Sequence, residues 1–326
     1  MPPTPGATPA PDPAGPSPEC PAFDIVRVDA RLQEKAAARL VAFSSTDRTA
    51  GRRFLDAAKT HAIDLTHFWA SVSRSKGAVR EACLLVPGSG QTAMAFLSNP
   101  AAPDSQRELG AVADRACRSL EGFRLAQALV EPAETGAQAA LLSAGFTRLD
   151  ELLYLRRPRP APAEFDPAAE AARLPDAVTL TTWSPGDDAA LESALEASYI
   201  DTLDCPELCG LRPLTDVIAS HRATGQWDPR LWWIVREHGT PRGAVLFNPC
   251  PDQSSIELVY LGLGPTLRGR GLASALLRIG LSALARREEA AVTCAVDARN
   301  TPARRLYERA GFVEFGRRVA LVRALR

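Results

Sequence analysis

The 326-residue sequence is 46% apolar and 23% charged, with a formal net charge of zero. That is the composition of an ordinary soluble globular chain, and it argues against a polycationic nucleic-acid binder or a low-complexity chain. No apolar run approaches the roughly 20 residues that a membrane-spanning helix needs. The length predicts two domains. Seven cysteines, odd in number and scattered, without a basic and then apolar leader over Met1 to Pro21, predict reduced thiols and a cytoplasmic location. Cys205-x-x-x-Cys209 is the only close cysteine pair, and no second pair or His cluster completes a zinc site, so no metal is expected.

In chain order, residues 1–21 read as a disordered Pro/Ala-rich tail. A first domain over 22–157 begins with helices at Ala30 to Phe43 and Arg52 to Ala62. Strands at Glu81 to Val86 and Thr92 to Leu97 flank Pro87-Gly88-Ser89-Gly90, which has hairpin chemistry. A helix at Glu108 to Leu120, a strand at Leu125 to Val130, a helix at Thr135 to Ala144 stopped by Gly145, and a strand at Leu152 to Leu155 complete it. Residues 158–176, rich in Pro and Ala, read as a linker.

The second domain, 177–326, repeats the pattern. A strand at Val178 to Thr182 leads to helices at Asp187 to Tyr199 and Leu214 to Thr224, parted by an irregular Asp201 to Pro213 loop. Strands at Leu231 to Arg236 and Arg242 to Phe247 turn through Gly239-Thr240-Pro241, and a strand at Ile256 to Leu263 runs into a glycine-rich bend. A helix to about Arg286, a strand at Ala291 to Val296, a helix at Pro302 to Ala310, and closing strands near Phe312 and Val319 to Val322 follow. Ala144-Gly145-Phe146 and Ala310-Gly311-Phe312 lie 166 residues apart, each ending a helix. Under that shift Arg268 falls opposite Ala102, Gly271 opposite Ser105 and Tyr307 opposite Leu141, so the first half lacks the glycine bend.

The bend Arg268-Gly269-Arg270-Gly271-Leu272-Ala273 joins a strand to the start of a helix. Backbone N–H groups there lack intrahelical partners and sit at the positive end of the helix dipole, which suits a phosphate. Gly269 and Gly271 let a ligand approach the main chain, while Arg268 and Arg270 add positive charge. From Thr266 to Arg326 thirteen Arg stand against five acidic residues, an excess in keeping with a polyphosphate ligand. Asn300 is a natural N-cap for the helix that follows it.

Pro265-x-x-Arg268-Gly269-x-Gly271-x-Ala273 resembles the acyl-CoA pyrophosphate loop of the GNAT acetyltransferase superfamily, Gln/Arg-x-x-Gly-x-Gly/Ala. About thirty residues on, Asn300-x-x-Ala303-x-x-Leu306-Tyr307-x-x-x-Gly311-Phe312 resembles the second cofactor segment of the same family. The resemblance implies two tandem α/β (α+β) domains, each a mixed, mostly antiparallel sheet flanked by helices, the first catalytically degenerate. It implies an acetyl-CoA-dependent N-acetyltransferase acting on a small-molecule or peptide amine, with no nucleic-acid or membrane partner and an open oligomeric state. A non-catalytic acyl-CoA-binding regulator or scaffold is the alternative. By the same resemblance, the main chain at Leu261 and Leu263 pairs with the pantetheine arm, Asn300 contacts the cofactor, Tyr307 protonates the departing thiolate, and Glu257 is a candidate general base. Tyr199, Asp201, Asp204 and Glu207 would form an acidic lip for a cationic amine.

Overall fold

The computed structural model describes residues 22–41 and 49–325, so the tail read at 1–21 lies outside the described residues. The first half runs β1 (Phe23–Arg27), α1 (Gln33–Val41), α2 (Ala50–Thr60), β2 (His67–Ser73), β3 (Val79–Gly88), β4 (Thr92–Leu97), α3 (Pro103–Arg118), β5 (Leu125–Val130), α4 (Thr135–Ser143) and β6 (Thr147–Pro158). The short α5 (Pro167–Ala171) comes next, within the Pro/Ala-rich segment. The second half runs β7 (Val178–Thr182), α6 (Asp188–Tyr199), α7 (Leu214–Ala223), β8 (Trp232–Glu237), β9 (Thr240–Cys250), β10 (Ser255–Leu263), α8 (Leu272–Leu284), β11 (Ala291–Asp297), α9 (Thr301–Arg309) and β12 (Val313–Ala324).

Two strands carry no clear sequence signal. In β2 the apolar residues split between the two sheet faces, Trp69 against the α3 side and Phe68 and Ala70 against α1 and α2. A strand covered on both faces loses the alternation that marks a half-buried one, and Ser71 and Ser73 dilute the apolar run. β1 is short and only half-buried along one side. The Pro/Ala-rich segment is not bare chain either. Asp166 caps α5 by accepting from the Ala168 N–H at 2.9 Å, and Phe165 and Leu174 pack on the core of the second half.

The twelve strands of the described residues form one sheet in the order β1-β2-β3-β4-β5-β12-β6-β11-β10-β9-β8-β7. Pairing is antiparallel except at β4·β5 and β10·β11. The order is symmetric about the β12·β6 pair, and it interleaves the halves. The last strand of the chain lies beside β5 of the first half, and the last strand of the first half lies beside β11 of the second. The repeat at 166 residues is kept to the residue in the closing elements, since α4 and α9 begin at Thr135 and Thr301, and β6 and β12 at Thr147 and Val313. The exchange leaves neither β5 nor β11 with an open edge, which would otherwise invite another chain.

Helices cover both faces. α8, α9 and α5 lie over one core that includes Phe247, Leu258, Leu276 and Val292, and α6 and α7 over another built on Trp232, Ile234 and Leu195. Among the described residues no helix is long and apolar enough to cross a membrane.

The exchange has a measurable consequence. Leu321 on β12 is fully buried in the core of the first half, with Val112 and Leu141. Leu321→Ala is expected to lower the unfolding free energy in urea by roughly 2–5 kcal/mol, the cost of a buried Leu-to-Ala cavity. A loss under about 1 kcal/mol would mean that this strand does not complete the first half's core.

Candidate active site

β10 pairs with β9 from Ser255 to Leu263, with an irregularity at Val259. On its other side it pairs with β11 only through Ser255, Ile256 and Glu257. β11 meanwhile stays paired with β6 as far as Asp297. The two parallel strands therefore part, and Tyr260, Leu261, Gly262 and Leu263, beyond the last pairing with β11, line a cavity of about 500 Å³. Leu261 and Leu263 are thus on the wall where backbone pairing with an extended ligand is expected. A cavity of this size falls in the range of small-molecule sites.

The glycine bend closes one end. Gly269 and Gly271 both adopt positive φ, +73° and +76°, and a Cβ built on either meets nothing within 4 Å. Their open faces give onto the cavity, which Arg268, Leu272 and Ala273 also line. Ser274 N–H donates to Gly271 O at 3.1 Å, whereas the N–H groups from Gly269 to Ala273 have no acceptor among the described residues. A row of free donors at a helix N-terminus suits an anion.

The arginines of the bend are used otherwise than their charge suggested. Arg268 Nε donates to Leu263 O at 2.8 Å, Nη1 to Asp201 O at 2.9 Å and Nη2 to Ser198 O at 2.8 Å. Its guanidinium clamps the bend to the end of α6 and serves the cradle through the backbone. Arg270 leans on Glu237 Oε1 at 3.4 Å and Thr266 O at 3.3 Å. Sequence reasoning missed Arg309, which lines the cavity from α9 and has no ion-pair partner among the described residues. Helical spacing from Ala303 through Leu306 to Arg309 is the signal that could have found it.

The remaining wall comes from α9 and the loop after α6. Asn300 Oδ1 accepts from Ala303 N–H at 3.2 Å, capping α9, and Asn300 also faces the cavity. Asp204 Oδ1 accepts from Asp297 N–H at 3.0 Å, and its carboxylate opens onto the cavity. Surrounding protein raises the Asp204 pKa above the ordinary carboxylate value, although hydrogen bonds from Asp297 N–H and the Asn300 side chain pull it down. Tyr260 Oη and Ser198 Oγ share a hydrogen bond of 2.6 Å, and burial pushes the Tyr199 phenol up to about 12.

Tyr307 is packed in the core, edge-on to Phe312 with ring centroids 5.6 Å apart. Burial holds the pKa of its hydroxyl well above the ordinary value, with the Asp204 charge adding to the effect, and Tyr307 is not among the residues lining the cavity. Glu257 is half-buried and its pKa is raised by burial alone, but it sits where β10 and β11 are still paired and is not among the residues lining the cavity. Among the described residues no group of three or more His, Cys, Asp or Glu is placed to hold a metal ion.

The first half has the same frame with its opening shut. β4 and β5 pair in parallel through Thr92, Ala93 and Met94 and then part. Into that gap the first turn of α4 settles: Ala137 N–H donates to Asn99 Oδ1 at 3.1 Å, and a Cβ on Gly136 would run into Pro100 O. α3 starts at Pro103 with Asp104 in its first turn, which disfavours an anion. A larger groove of about 830 Å³ lies between α3, the end of α4 and β12, but its acidic Asp114 is already paired with Arg118 and Arg323.

Residues 200–312 match the acetyltransferase (GNAT) family. A mycothiol acetyltransferase of Thermomonospora curvata is 35% identical over 182 residues, 55% of this chain and 58% of that protein. Another, of Beutenbergia cavernae, is 34% identical over 206 residues, 59% of this chain and 68% of that protein. The chain thus spans little more than half the length of the Thermomonospora relative. A crystal structure of a GCN5-related N-acetyltransferase from Sphaerobacter thermophilus superposes with a TM-score of 0.56 at 20% identity, over 94% of this chain and 96% of that one, so the likeness of fold takes in the first half as well. Matched along its second half by the family and over two thirds of the Beutenbergia protein, the chain belongs to the GNAT acetyltransferase family.

Proposed function

We propose that the protein transfers an acetyl group from acetyl-CoA to the primary amine of a small molecule. The observation that carries this reading is the row of unpartnered N–H groups from Gly269 to Ala273, open to a cavity whose other wall is the unpaired edge of Tyr260 to Leu263. The bend would take the diphosphate, and the strand edge would pair with the amides of the pantetheine arm. Leu272, Ala273 and Asn300 would complete the grip. The thioester would then lie farther into the opening, toward Tyr307. The name borne by the two relatives supports a small-molecule acceptor.

Acyl transfer needs a neutral amine, a polarised carbonyl and a proton for the departing thiolate. Tyr307, kept protonated by burial, is suited to the last of these: a thiol titrates near 8.5, well below this phenol, so the proton moves only as negative charge builds on sulfur and tyrosinate is quickly reprotonated. Loss of the hydroxyl removes the donor without touching the cradle.

Two variants test the reading, with thiol release from acetyl-CoA followed against a panel of primary amines. Gly271→Glu forces a side chain into a positive-φ position and aims a carboxylate at the diphosphate, so acetyl-CoA affinity by calorimetry is expected to fall at least about 100-fold, roughly 2.8 kcal/mol. Unchanged affinity would place the cofactor elsewhere. Tyr307→Phe should slow thiol release by about 100-fold or more while leaving acetyl-CoA affinity nearly intact. An unaltered rate, with chemistry shown to be limiting, would remove Tyr307 as the acid.

A further inference from the structure

We propose that Asp204 is the residue that receives the acceptor: its carboxylate binds the incoming ammonium on the cavity wall and takes the proton that must leave before nitrogen attacks. The inference rests on the acetyl-transfer reading above and adds to it the group that selects a cationic amine.

The argument begins with position. Asp204 lines the cavity between the strand edge at Tyr260 and the start of α9 at Asn300. Its charge acts on Tyr307, Tyr260, Tyr199 and Cys294, so it is close to the proposed acid and to the opening between β10 and β11. The other lining carboxylate, Asp201, is exposed as Asp204 is, but no hydrogen bond among the described residues fixes it, whereas Asp204 Oδ1 is held by Asp297 N–H. Glu257 stands outside the cavity wall.

Position is backed by rigidity. The loop carrying Asp204 is held at both flanks in left-handed conformations, Asp201 at φ +50° and Cys205 at φ +44°, which persist only where the surroundings impose them. Arg268 holds the first through Asp201 O, and Asp297 holds the second. Its N–H holds Asp204, its Oδ2 accepts from Cys205 N–H at 3.1 Å, and it is itself fully buried against Arg299 at 2.7 Å. Arg299 is further bound by Glu207 and Asp150, so its charge is compensated and the Asp204 carboxylate stays free to pair with a substrate cation.

The groups around Asp204 are Tyr199 from α6, Tyr260 from β10, Cys294 and Asp297 from β11, Asn300 and Tyr307 from the α9 segment, and Cys205, Glu207 and Cys209 from its own loop. The tyrosines and the buried cysteines are neutral at pH 7, with pKa values raised by burial. An incoming cation therefore meets Asp204 backed by Asp297, while of the positive side chains that also line the cavity Arg268 is spent on three carbonyls and Arg309 stands on α9. The step balances: the ammonium gives one proton to Asp204, nitrogen bonds to the thioester carbon, the C–S bond breaks with its electron pair on sulfur, and sulfur takes the Tyr307 proton. Tyrosinate recovers a proton from the new amide nitrogen, and Asp204 releases its proton to solvent.

The test uses the full chain, acetyl-CoA and ethylamine as a probe small enough to reach any acceptor subsite. Asp204→Asn keeps an oxygen for Asp297 N–H, so its melting temperature and acetyl-CoA affinity should stay near wild type. Its thiol release at pH 7 should fall about 100-fold or more, the usual worth of a general base, and the rate should climb with pH as free amine forms without help. Asp204→Glu should regain part of the wild-type rate and its flatter pH profile. Wild-type rate and profile in Asp204→Asn would overturn the inference, as would a loss that falls on Glu257→Gln instead, or a wild-type protein that binds acetyl-CoA yet releases no thiol with ethylamine. Failure of wild type to bind acetyl-CoA would instead defeat the transferase reading itself.

Discussion

Strand β11 is held along its whole length from one side and for three residues from the other. β6 pairs with it from Ala291 to Asp297, while β10 leaves it after Glu257. The ligand-sized opening exists because the first of these pairings persists where the second stops. A strand without the β6 partner would have an exposed edge on both sides beyond Thr293, and its unpaired backbone groups would favour closing the gap. The first half of the chain thus supplies the support that keeps the second half's cleft apart, which gives a physical reason for a half whose own cleft is shut.

The two halves share one frame and differ in what fills it. Gly136 and Ala137 lie against Asn99 and Pro100 and seal the first opening, whereas the position 166 residues later is Pro302, a lining residue of the second. The counterpart of Ala137 is Ala303, whose N–H turns back to its own cap, Asn300 Oδ1, at 3.2 Å. Leu141 stands where the second half has Tyr307, so the first core has an apolar side chain in place of a hydroxyl. The halves are also tied away from the sheet: Ser220 Oγ on α7 donates to Ser89 O at 2.9 Å in the turn between β3 and β4, and Asp216 pairs with Arg124 at 3.3 Å.

Much of this was legible in the sequence. The 166-residue repeat, the glycine bend at the start of α8 and the Asn300 cap are set by local chemistry, and the structure has each where the residues put it. The exchange of β6 and β12 was not legible. Alternation along a strand records which face is buried, and either neighbour satisfies it equally. Arg268 misled for a related reason, since composition counts its charge while only the fold decides that Leu263, Ser198 and Asp201 present carbonyls to it. Asp204 looked like one of several acidic loop residues. What singles it out is an N–H donated by Asp297, 93 residues away in sequence, and no reading of the loop alone contains that contact.

The Arg268 clamp also joins the two sides of the proposed reaction. One guanidinium binds the end of β10 through Leu263 O, the end of α6 through Ser198 O and the loop before Asp204 through Asp201 O. Hydrogen bonds from a charged donor contribute about 1.5–3 kcal/mol each at the most favourable, less where water competes, and these three share one rigid planar group. The cofactor bend and the acceptor loop therefore cannot shift independently without breaking at least one of them. A diphosphate that settles the bend would steady Asp201, and through it Asp204, against the Asp297 N–H. On the proposed reading, cofactor binding and the placing of the Asp204 carboxylate are linked by a contact rather than by a moving lid, and a reciprocal effect of acceptor on cofactor affinity follows from the same linkage.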